Sequence, residues 1–418
     1  MNGDRRIVEQ PDCVSTWGVL FALIFFSFLV LKDALDFYGF GALATGGIAI
    51  GIVGSLVGGL LNGGIMSIGR LILRHLFAKT LVVGYLSSIV YSYMSTGIVN
   101  ISPFYIGFFV AFIIYCFSKD SILLFIAPLA VINILVQIYE QALGSLLFPT
   151  ISAIDNLTLD AASYSIGVSA VRTKGLFQGP LHGVSIFLLA ILLKQNSFIL
   201  HILFVFASYM AGARLGLALS IIYLIIFAQK KLYDNGSARL ITTITILVIV
   251  EVTIISYDYI LEYLDNDRIT FIAMAFDFDN NESNITRIDA WYSAIATFFS
   301  YDIAGMLFGN FDYIRLFTMQ RSAESDWLRM LVDNGLICFI SYGMMFRLIF
   351  SLSKCENSRW SLAHLIIIIV SMNLYPCLGW LTAATTFWVF ALSVIDRSSS
   401  EAAVPRRNNY SIPLARTY

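Results

Sequence analysis

FGALATGGIAIGIVGSLVGGLL, residues 40–61, contains no charged side chain. A helix needs about 20 mostly apolar residues to cross the hydrocarbon layer of a bilayer, so this stretch predicts a membrane span. Gly41, Gly46, Gly47, Gly51, Gly54, Gly58 and Gly59 recur through it and predict a smooth surface against which a neighbouring helix packs closely.

Working outward, apolar runs predict further spans near 15–31, 80–97, 103–118, 121–138, 181–194, 197–212, 215–229, 240–257, 330–351, 360–375 and 379–395. The fold class expected is therefore all-α: a single polytopic membrane domain over 1–418 with about 12 transmembrane helices. Composition agrees, with 58% hydrophobic and only 13% charged residues. A soluble domain carries roughly 25% charged residues, so a water-soluble class is excluded. The five cysteines are scattered, with no metal-binding spacing, and read as small apolar residues. Net charge is −1, which gives no case for a nucleic-acid partner.

Cytoplasmic loops retain Lys and Arg. With the N-terminus inside and the spans alternating, 17 of the 26 basic residues fall on inner loops and tails. The two long connections, 139–180 and 258–329, then fall outside, and 397–418 becomes a flexible cytoplasmic tail. Long connections are usually functional or disordered. The aromatics, glycines and apolar stretches of these two argue for order, and so for function on the non-cytoplasmic side.

Three groups of residues could carry chemistry there. The first is Arg172-Thr173-Lys174-Gly175-Leu176-Phe177, followed by Pro180. Two cations, flexible glycines and a following helix start suit a phosphate group, although an interfacial anchor with snorkelling cations would look the same. The second is Gly212-Ala213-Arg214-Leu215-Gly216, where a lone Arg between apolar runs needs a partner or a ligand. The third is the loop 258–329 and the helix start after it, with Arg287, Trp291, Gly309, Arg321, Glu324 and Asp326. Glu324 and Asp326 could cap the helix, or one could accept a proton from a hydroxyl. Asp333, two turns beyond Asp326 on the same helical face, is expected deeper in the membrane and paired with an Arg from a neighbouring helix.

The ordered set resembles the O-antigen polymerase and ligase superfamily of bacterial envelope glycosyltransferases, and more closely its polymerase branch, called Wzy. The matching pieces are Arg172-x-x-Gly175-Leu176-Phe177 with Pro180, Arg214 with Gly216, Arg287-x-x-x-Trp291 leading to Gly309, and Glu324-Ser325-Asp326-x-Leu328 followed by Asn334-Gly335. The resemblance covers roughly 165–345. It implies a GT-C-like architecture in the bacterial inner membrane, with the active site facing the periplasm. The implied substrate is an undecaprenyl-pyrophosphate-linked oligosaccharide, polymerised into O-antigen or a related surface polysaccharide without cofactor or metal. A chain-length regulator is an implied partner. Carried over by residue, Arg172, Arg214 and Arg287 would contact pyrophosphate or glycan, and Lys174 and Arg321 are further candidate contacts from their own charge and placement in the outer loops. Glu324 would be the base, with Asp326 in reserve and Arg214 also at the reacting centre. Ligases typically show a His where this chain has Glu324, which favours a polymerase. An O-antigen ligase and a lipid-linked oligosaccharide flippase or transporter are the alternatives.

Overall fold

In the computed structural model the described residues are all-α, apart from two hairpins with strands of two residues. The structure describes residues 16–99, 102–119, 123–151, 158–159, 165–166, 170–177, 179–180, 183, 198–213, 216–222, 224–225, 282–311, 325–348 and 381–403. The predicted spans at 240–257 and 360–375 lie outside the described residues, and those at 181–194 and 215–229 lie mostly outside them.

The helices are α1 (Thr16–Val30), α2 (Lys32–Phe37), α3 (Gly41–Leu61), α4 (Gly64–Ile72), α5 (Leu76–Thr96), α6 (Pro103–Ser118), α7 (Leu123–Leu143), α8 (Phe198–Met210), α9 (Glu282–Ser300), α10 (Ile303–Phe308), α11 (Asp326–Leu348) and α12 (Leu381–Ala403). Among the described residues α3, α5 and α11 are long and apolar enough to cross a membrane, and α1, α6, α7, α8 and α12 contain shorter apolar segments. The chain is therefore a membrane protein. Helix ends follow local chemistry. Pro103 opens α6, where a missing N–H costs nothing. Gly97 closes α5 at φ 73°, and Asp302 caps α10 by accepting from Gly305 N at 2.7 Å.

The glycines of α3 do what their spacing predicts. A side chain at Gly47, Gly51 or Gly54 would overlap Phe28, Phe25 or Phe21 of α1, and one at Gly58 would overlap Phe117 of α6. The pairing order shows that α1 and α3 are antiparallel. Trp388 of α12 closes the core against Phe104 and Phe108, with its Nε1 donating to the Phe104 carbonyl at 3.0 Å.

Chain ends sort into two groups. At one end α2 meets β1 (Thr150–Ile151), which pairs antiparallel with β2 (Thr158–Leu159). Asp33, Lys174 and the turn after α8 gather there too. At the opposite end Gly18 lies against Phe117 and Gly64 against Cys116, and the Tyr115 hydroxyl donates to Asp396 Oδ2 at 3.0 Å. The first group comprises segments that alternating spans place on one side, the second those placed on the other.

The run predicted as one span at 330–351 departs from that prediction. Fifteen residues of straight helix rise about 22 Å, yet the Trp327 ring lies 4.5 Å from that of Tyr342 and 5.6 Å from that of Phe346. The chain therefore folds back within α11. The turn falls at Asn334-Gly335, where Gly335 adopts a φ of +77°.

Candidate functional site

Helix α7 presents Asn133, Gln137 and Glu140 along one face, at the i, i+4, i+7 spacing that aligns side chains on a helix. All three are fully buried. They meet the stretch 173–176, which follows the hairpin of β3 (Ser165–Ile166) and β4 (Ala170–Val171). Glu140 Oε2 accepts from Lys174 N at 3.0 Å and Gly175 N at 2.9 Å, and its Oε1 accepts from Leu147 N at 3.1 Å. Asn133 Oδ1 accepts from Leu176 N at 2.6 Å, and Gln137 Nε2 donates to the Thr173 carbonyl at 3.4 Å. Gly175 has a φ of +66°, and any side chain there would strike Asn133. A buried backbone N–H has to find an acceptor; here Asn133 and Glu140 supply them, while Gln137 donates to a backbone carbonyl of the same stretch.

Lys174 was expected beside Arg172 in an anion grip, but it turns into the protein. Its side chain is fully buried, with Nζ 3.1 Å from the Phe177 carbonyl and 3.8 Å from Asp33 Oδ2. Burial pushes its pKa below the usual lysine range, and Asp33 and Glu140 pull it back up. A buried ammonium needs opposite charge and hydrogen bonds around it, and this one has both. The pair joins the segment after α1 to the segment before the eighth helix.

Arg172 is half-buried and donates from Nε to the Ala211 carbonyl at 3.2 Å. Beside it Thr173 N donates to the Met210 carbonyl at 3.2 Å. These bonds dock the first cationic motif on the Ala211-Gly212-Ala213 turn that leads to position 214. Arg214 itself lies outside the described residues, as do Arg321 and Glu324.

The later motifs form a second junction. Gly309 and Gly335 both have positive φ, and a side chain on either would overlap backbone of the other's segment. Asn310 N donates to the Val332 carbonyl at 3.0 Å, and Asn310 Oδ1 accepts from Ser95 at 2.8 Å. Helix α9, which carries Arg287, packs Ala294 and Phe298 on Val332, flanked by Leu328 and Leu331. Asp333 is paired, but with Arg329 of its own helix, at 3.3 Å. Its expected depth relative to Asp326 does not hold either. Asp333 sits at the turn beside Gly309, whereas Asp326 lies buried next to Trp327, back along the second arm. The straight-helix argument failed because the helix is not straight.

Reading from cations alone passed over Asp33, Asn133, Gln137 and Glu140. The signal was present: three polar residues, one of them acidic, on one face of an otherwise apolar run are costly in a membrane unless they bind something. Among the described residues no cluster of His, Cys, Asp or Glu is arranged to hold a metal ion. Comparison with family models, curated proteins and solved structures finds no match to this chain.

Proposed function

We propose that this chain is a membrane glycosyltransferase of the polysaccharide-polymerase type, with about 12 spans and a GT-C-like architecture. It joins undecaprenyl-pyrophosphate-linked repeat units at the periplasmic face of the bacterial inner membrane. The observation that carries this reading is the docking of the Arg172 stretch on the turn leading to Arg214, at the end of the bundle where the segments assigned to the outside gather. The Arg172 stretch thereby meets the turn that precedes Arg214, 42 positions further along the sequence. Planar forks suit the paired oxygens of a diphosphate.

In this mechanism Arg172 and Arg214, joined by Arg287 and Arg321, hold the pyrophosphate of the donor. The acceptor sugar hydroxyl gives its proton to Glu324, or to Asp326 in reserve, as its oxygen bonds to the donor's anomeric carbon. The bond from that carbon to the pyrophosphate oxygen breaks, and the electron pair leaves with the carrier diphosphate. Fixed cations stabilise the charge that develops there. Lys174 serves by holding the loop rather than by touching phosphate.

Deleting the gene tests the reading. The expected result is a surface glycan reduced to single repeats, restored to a ladder by the intact chain. Complete loss of surface glycan, with lipid-linked repeats trapped on the inner leaflet, would assign transport instead. Accumulation of long lipid-linked chains would assign ligation.

A further inference from the structure

Helix α9 is apolar on both of its faces. One face, with Ala290, Ala294 and Phe298, is buried, and its latter part packs against the first arm of α11. The other face carries Ile285, Ile288, Tyr292, Ile295 and Phe299, which fall within a third of a turn or so of one another at 100° per residue. Tyr292 is 71% exposed, Phe299 70%, and Ile303 just beyond the helix 79%. A helix in a watery loop is expected to turn polar residues to solvent. Among the described side chains of the helix, the exposed polar ones are Asp289 and Ser300, along one edge.

The position of the helix identifies what covers that face. Its C-terminal end leads into α10, which packs on the end of α5: Tyr91 donates to Asp302 at 2.9 Å and its ring lies 6.1 Å from that of Phe308. Helix α5 is long and apolar enough to cross a membrane, and its Val90, Tyr93 and Met94 are all more than half exposed, as lipid-facing side chains are. The exposed apolar face of α9 therefore begins beside the lipid-facing end of a span. Amphipathic aromatics such as Tyr concentrate at this boundary between hydrocarbon and headgroups.

We infer that α9 lies in the membrane–water interface, with Tyr292, Phe299 and the isoleucines set into the lipid and Ala294 and Phe298 against the protein. Arg287 lies on the protein-facing side of the helix, about 160° around from Ile285, so the helix would hold that guanidinium at headgroup level. The inference stands on exposure and packing, independently of any catalytic role.

Environment-sensitive labels on the full chain test it, in vesicles of phosphatidylethanolamine and phosphatidylglycerol. Cys116 and Cys338 are buried and stay in place; Cys13, Cys355 and Cys377 are replaced by Ser. Single labels go on Tyr292→Cys, Phe299→Cys and, at the polar edge, Asp289→Cys, all at exposed positions. The expected result is strong quenching of the first two by a lipid carrying a nitroxide near its headgroup, and of the third by aqueous iodide. Iodide quenching of all three alike would overturn the inference. So would protection of positions 292 and 299 from both quenchers, which would mean that another protein or a second copy covers the face.

Discussion

Glu140 shows how one residue can organise a site it does not enter. Its carboxylate accepts three backbone N–H groups while fully buried. Each buried donor left without a partner costs about 1–3 kcal/mol. Glu140→Ala leaves three, so a loss of several kcal/mol is expected, read as a lower unfolding temperature in detergent. Glu140→Gln keeps one oxygen able to accept and should recover part of the loss. An unchanged unfolding temperature in Glu140→Ala would show that the stretch 173–176 is held by something else. None of this was read from the sequence, where attention went to Arg172 and Lys174. Positive charges are few in an apolar chain and stand out, whereas Asn133, Gln137 and Glu140 stand out only when their shared helical face is considered.

At the level of elements, the fold-back of α11 shows where sequence reading succeeded and where it stopped. Long uncharged runs translate directly into helices, and the predicted spans at 40–61, 80–97 and 103–118 match α3, α5 and α6 within a few residues. The apolar run at 330–351 reads as one straight element. The Asn334-Gly335 pair within it is a turn signal, but a hydropathy average passes over a two-residue turn inside an apolar run, even with Asp333 beside it. Gly335 is needed twice over, for its φ of +77° and because its α-carbon faces the Leu307 carbonyl. The left-handed conformation alone costs a residue with a side chain about 1–2 kcal/mol, and the collision adds to that. Gly335→Ala should therefore lower the yield of monodisperse protein and its unfolding temperature. Gly343→Ala on the same helix, with open space around it, should do neither. Equal behaviour of the two variants would refute the interlock between Gly309 and Gly335.

For the whole molecule the decisive quantity is sidedness. The ion pair of Asp33 with Lys174 and the bond from Arg172 to the Ala211 carbonyl tie three predicted outer segments to one end of the bundle. Reporter fusions after residues 177 and 287 should be active only beyond the membrane, and fusions after 74 and 403 only in the cytosol. Cytosolic activity at 177 or 287 would place the arginines in the compartment where the proposed substrate is not presented for polymerisation.

The phenylalanine–glycine seam between α1 and α3 also bears on biogenesis. Its two sides are separated by barely ten residues, so they leave the ribosome close together. Phe21, Phe25 and Phe28 can settle into the notches at Gly54, Gly51 and Gly47 while most of the chain is still untranslated. Later helices, among them α6 with its Phe117 at Gly58, then dock on that hairpin. A bulky residue in one of those notches would therefore do its damage during insertion, before quality control has a complete protein to inspect.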